Sequence, residues 1–163
     1  MSWLEANRPI HARHGYPRHS SLSTHPEQRA GNVWRMEIVA ALFVDNLAMR
    51  QAPGPSTRID LTGVYFSLAA PGPVPVSIEP HLVVLIRCPV DASANGVLET
   101  VFVRGDDELA RNVQPVEIEP GKFGYRLVRS ELTFDDYGSI EARCSVDQGH
   151  VVTVPLTLLP PAG

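Results

Sequence analysis

The chain has 163 residues, 44% of them hydrophobic and 20% charged, with 15 Pro and 12 Gly; there is room for one domain, and the composition points to many turns and few long helices. No stretch approaches the roughly 18 apolar residues of a membrane span, and no apolar signal-peptide core is present, so a soluble protein that stays in the cytoplasm is expected, without a membrane partner. The net charge of −4 is unevenly placed: residues 1–35 carry five Arg (Arg8, Arg13, Arg18, Arg29, Arg35) against Glu5 and Glu27, whereas 36–163 set nine Lys or Arg against 16 Asp or Glu. A basic arm therefore precedes an acidic domain, and an acidic surface is a poor ligand for the phosphates of nucleic acid.

Residues 1–35 are rich in Arg, His, Ser and Pro and show neither a two-residue nor a 3.6-residue rhythm, so they are read as a disordered arm in front of a folded domain at 36–163. Met36 stands where the patterned sequence begins, which leaves a translation start at Met36 as a second reading of the arm. Residues 36–50 are apolar on both parities, the signature of a strand covered on two sides. The Pro- and Gly-rich segment 51–57 is a loop, and 58–70 is its hairpin partner. Alternate prolines make 71–76 a connection rather than a central strand.

Strand three is predicted at 81–90, with Leu82, Val84, Ile86, Cys88 and Val90 on one face. Asn95-Gly96 marks a turn before a strand at 97–104. Residues 106–112 have the composition of one helical turn, too short to stand alone. Strands follow at 113–118, at 122–134 with a bulge at Gly124, and at 140–146, where Ile140, Ala142, Cys144 and Val146 face inward and Glu141, Arg143 and Ser145 outward. The last strand is 151–159. Seven or eight short strands of this kind predict an all-β fold, an antiparallel β-sandwich with an open barrel as the alternative.

Several groupings of reactive side chains invite a functional reading. Cys88 and Cys144 are the only cysteines; in a reducing compartment two buried free thiols are the expectation, with a disulfide between facing sheets as the alternative. His81 lies seven strand positions from Cys88, over 20 Å at roughly 3.3 Å per residue, too far to serve as its base. His11, His14, His19 and His25 lack the cysteines and fixed spacings of a zinc site. Asp106, Asp107 and Glu108, with Asp135 and Asp136, would offer oxygen ligands to calcium if their turns met, but no calcium-loop motif accompanies them. No nucleophile elbow, phosphate loop or His-Glu-x-x-His is present, so neither a catalytic residue nor a cofactor is expected.

Ala41-Leu-Phe-Val-Asp45, Ile59-Asp-Leu-Thr-Gly-Val64, Asp136-Tyr-Gly138, Ile140-Glu-Ala-Arg143 and Gly149-His-Val-Val-Thr-Val-Pro-Leu156 together resemble a family of small bacterial all-β proteins recorded only as a domain of unknown function. The resemblance implies a sandwich of the immunoglobulin or fibronectin type with no activity or site residues to carry over. The immunoglobulin signature itself is half met: the two cysteines fit, but no Trp lies between them and Tyr137 is seven residues before Cys144 rather than two. The expected role is a non-catalytic interaction or structural module that binds a protein partner, or a second copy of itself, through an exposed edge strand, the first or the last. The rivals are a small-molecule or sugar-binding domain or hydrolase using loops 51–57, 71–79 and 105–112, and an accessory of a nucleic-acid system acting through the arm.

Overall fold

In the computed structural model, residues 35–54 and 56–163 are described, and all their regular structure is strand. Residues 1–34, and with them nearly all of the basic arm and the histidines at 11, 14, 19 and 25, lie outside the described residues. Eleven strands form: β1 (Glu37–Gln51), β2 (Thr57–Val64), β3 (Ser67–Ala69), β4 (Val76–Ile78), β5 (His81–Arg87), β6 (Asn95–Arg104), β7 (Asp107–Glu117), β8 (Phe123–Arg129), β9 (Leu132–Phe134), β10 (Gly138–Val146) and β11 (Val152–Leu159). One sheet has the order β2-β1-β5-β8, a second β3-β11-β10-β6-β7, and β4 pairs with β9 alone. All pairings are antiparallel except β3 with β11, which is parallel. Among the described residues no helix is long and apolar enough to cross a membrane.

The two-residue repeat decides which side chains meet between the two large sheets. Ala41, Phe43, Leu82, Val84, Ile86 and Val128 from the first sheet join Leu98, Phe102, Ile140, Ala142, Cys144 and Leu156 from the second in one buried cluster. The predicted alternation of 140–146 is reproduced, with one exception: Ser145 is also buried. Val90 does not belong to the core face, because β5 ends at Arg87 and Val90 is 72% exposed in the turn beyond it.

Four other expectations are corrected. Residues 107–112 are not a helical turn but the first half of β7, paired along β6; cross-strand bonding and burial override the helix-favouring composition. Asn95-Gly96 opens β6 instead of turning before it. Gly124 is no bulge: it pairs in register with Ile86, and a Cβ there would come within 2.7 Å of the Ile118 side chain, so packing explains the glycine. The segments 58–70 and 122–134 each divide, the first so that β3 can leave β2 and join β11, the second so that β9 can leave β8 and join β4. The described residues therefore hold eleven strands in three sheets rather than seven or eight.

β1 is the least regular element. Its first half, through Val44, pairs with β5; its second half pairs only with β2, so the segments on either side of the 52–56 loop form a two-stranded ribbon. Near its base odd-numbered Phe43 accepts a bond from Tyr65, whereas at its tip even-numbered Ala52 donates to Ser56, and no pairing joins Asp45 to Gly63 between them. The direction of the main-chain groups thus reverses at Asp45 and Gly63. Gly63 has φ +63°, and a Cβ on it would land on the Asp45 carboxylate, so the reversal requires a glycine.

Candidate functional site

The reversal has a packing consequence. Above it, Leu47, Met49, Ile59 and Leu61 share one face of the ribbon, and that face turns toward the outer surface of the first sheet. The Tyr125 hydroxyl donates to the Met49 sulfur at 2.9 Å. Val44 and Val83 are each only 1% exposed although neither belongs to the cluster between the sheets. The outer face of β1, β5 and β8 is thus a second apolar layer, roofed by the ribbon. Toward the tip the roof lifts and leaves a cleft of about 570 Å³ lined by Met49, Ile59, Leu85, Phe123, Gly124, Tyr125 and Arg126.

The remaining surface is decided by how each sheet edge disposes of its outward main-chain groups, since an open edge is a template for another strand. Along β8 the outward carbonyls are those of Tyr125, Leu127 and Arg129. Arg126 Nη1 donates to the first at 2.8 Å, Gln114 Nε2 to the second at 3.2 Å and Asn112 Nδ2 to the third at 3.3 Å. Arg126 Nε in turn donates to the outward carbonyl of Pro115 at 3.0 Å. Side chains of β7 and β8 therefore close that side of the two sheets, and Pro115 has no donor to offer there.

On the opposite side, Thr157 donates to Phe66 and Leu159 accepts from Ala70, which places the odd-numbered groups of β11 on the side that β3 covers only from Thr157 onward. Pro155 falls on that parity, again where a donor would otherwise point outward. β3, β4 and β9 have three residues each and offer little length to pair with. β2 is different. Its outward parity is Thr57, Ile59 and Leu61, none is proline, and no side-chain cap among the described residues reaches them. Neither strand expected as the exposed edge is one along its whole length: β1 is interior along its first half and lacks a neighbour only past Val44, and β11 lies between β10 and β3, which pairs with its last residues.

The residues singled out for chemistry are dispersed or engaged. Asp106 is in the β6–β7 turn, Asp107 and Glu108 begin β7, and Asp135 and Asp136 precede β10. Arg104, opposite Asp107 in the ladder, donates to the Asp136 carbonyl at 3.1 Å and lies 5.0 Å from the centroid of the Phe134 ring, so a cation stands among the acidic turns. Glu108 is held by Arg111, which also holds Glu99; those bonds lower the Glu108 carboxyl and raise the guanidinium above their ordinary values. Among the described residues no three His, Cys, Asp or Glu side chains form a group that could hold a metal ion.

Cys88 and Cys144 are buried, free thiols. Cys88 donates to the carbonyls of Ser93 and Pro89 at 3.4 and 3.6 Å. Burial pushes the Cys144 thiol up, opposed more weakly by the Thr100 hydroxyl that donates to it. Unfolding exposes a thiol of ordinary pKa, about 8.5, so above that pH the unfolded chain gives up a proton that the folded chain keeps. Stability is therefore expected to fall as pH rises through this value. Urea midpoints measured across the range should drop less steeply for Cys144→Ala, and equal slopes would refute the assignment.

The residues that shape this surface were passed over in the sequence. The signal was present for part of them: Leu47 and Met49 before the loop and Ile59 and Leu61 after it keep one parity, the pattern of an amphipathic ribbon. Nothing in the order of residues marks Asn112, Gln114 and Arg126 as caps of a neighbouring edge. The chain matches no known family model, and no curated protein matches it significantly.

Proposed function

We propose that this chain is a non-catalytic protein-interaction module, an immunoglobulin-type sandwich in which the free edge of β2 accepts a partner strand. The single observation behind this reading is the contrast between edges: those of β8, β7 and β11 are capped or carry proline and β3 is short, while β2 presents eight residues with its outward main-chain groups unanswered. Such an edge supplies affinity through main-chain bonds and specificity through alternate side chains. The parallel pairing of an early short strand with the last strand, and the shared core of two sheets, support the immunoglobulin-type description. Kinship with the uncharacterised bacterial family is carried by the motifs at 41–45, 59–64, 136–143 and 149–156, which fall on β1, β2, β10 and β11 and on the turns that precede the last two. The rival reading of a loop-borne small-molecule site loses ground where its loops are strand, at 76–78 and 107–112.

The test is a photo-crosslinking amino acid at Thr62, on the solvent side of β2, in cells that produce the chain. A discrete adduct is expected, and it should disappear with Leu61→Pro, which removes an outward donor while leaving the even-numbered groups to bond β1. The same probe at Thr153, beside Pro155, should give none. A Thr62 probe that yields no adduct, or one indifferent to Leu61→Pro, would rule out strand addition at β2.

A further inference from the structure

We infer that the strand β2 accepts is β2 of a second copy, in an antiparallel, two-fold pairing centred on Ile59. This rests on the strand-addition reading above and names its partner. In such a pairing the outward residues, Thr57, Ile59 and Leu61, must face outward residues of the other copy, which limits the registers to steps of two. The register that sets Asp60 opposite itself juxtaposes like charges, and so does the one that sets Arg58 opposite itself. Centring on Ile59 instead places Arg58 opposite Asp60 of the second copy and Asp60 opposite its Arg58, in the closely spaced, non-hydrogen-bonded positions where side chains meet best. Ile59 then faces its own symmetry mate.

The isolated ribbon lacks what this arrangement supplies. Arg58 stands directly opposite Arg50 in the β1–β2 ladder, and it is Arg50 that Asp60 binds. Arg58 makes no ion pair among the described residues. The carboxylate of the second copy would complete an alternation of charge across four strands: Arg50 with Asp60 inside each ribbon, and Asp60 with Arg58 between them. On the inner face Ile59, part of the cleft roof, would be extended by its mate, so the apolar layer runs on from one copy to the other. The symmetry also closes, because one edge meets the same edge and no further copy can add.

The experiment is light scattering on the full chain over a concentration series, with two single variants and their mixture. The wild type is expected to dimerise reversibly. In its own homodimer Arg58→Glu sets a new carboxylate against Asp60 at both symmetry-related pairs, and Asp60→Lys sets a new ammonium against Arg58 at both. Each variant alone should therefore dimerise at least about tenfold more weakly. Mixed in equal amounts, the two are expected to dimerise again: one of the two pairs then joins the unchanged Arg58 to the unchanged Asp60, and the other joins the introduced carboxylate to the introduced ammonium. Both sites are on the exposed face of the ribbon, and circular dichroism of each variant checks that the fold is kept. A wild type that stays monomeric at high micromolar concentration, a dimer indifferent to Arg58→Glu, or a mixture that fails to recover dimerisation would each overturn the proposal. If the Thr62 probe still captures a different protein under these conditions, strand addition survives and only the identity of its partner falls.

Discussion

Phe102→Ala is expected to cost about 3–5 kcal/mol, the upper range for a buried aromatic truncation. Phe102 is fully buried on β6, and its neighbours in the ladder are Ala142 on β10 and Ala110 on β7. One large ring thus stands between two small side chains, and neither alanine can grow into the space that truncation leaves. The cavity term is therefore kept nearly whole, on top of the lost transfer energy of the ring. Against a total stability of about 5–15 kcal/mol for a domain, the loss is a large fraction. Urea unfolding followed by far-ultraviolet circular dichroism would measure it. Phe123→Ala is the control: that ring is 66% exposed, and its removal should change stability by no more than about 0.5 kcal/mol. Equal costs at the two positions would mean that the core does not lie between the two sheets.

How far the architecture was legible varies element by element. The stretch 140–146 could be read because β10 has one face in the core and one toward solvent, so a local alternation records a global fact. Residues 107–112 could not, since Asp-Glu-Leu-Ala-Arg-Asn has no alternation to show. Its strand conformation is imposed by β6 and by Arg111 bridging Glu108 and Glu99 across the ladder. The acidic residues at 106–108 and 135–136 were visible as charges, but the Arg104 that stands among them was not, because its place is set by pairing with Asp107. The candidate site is less legible still. Whether an edge is open depends on which neighbours fail to arrive and which side chains reach over. Pro115 and Pro155 show their meaning only once the outward parity of β7 and β11 is known.

The second apolar layer carries the other large effect, and Val83→Asp isolates it. By the alternation of β5 alone, Leu82, Val84 and Ile86 face the core and Val83 faces away, so an aspartate at 83 would sit on a solvated surface and change little. The structure gives a different expectation, because Val83 lies between Leu42 and Leu127 in the ladder and is almost wholly covered. A carboxylate placed there must either stay buried without a partner, which costs several kcal/mol, or expel the ribbon to reach water. The second course gives up the layer formed with Leu47, Met49, Ile59 and Leu61 but leaves the core between the sheets intact. A loss of about 3 kcal/mol or more, or a ribbon whose amides at 46–51 and 57–62 exchange far faster than those of β10, is therefore expected. The two outcomes share one cause, the covered outer face, and hydrogen exchange separates them. A Val83→Asp protein with unchanged stability and unchanged ribbon protection would show that the ribbon does not cover this face.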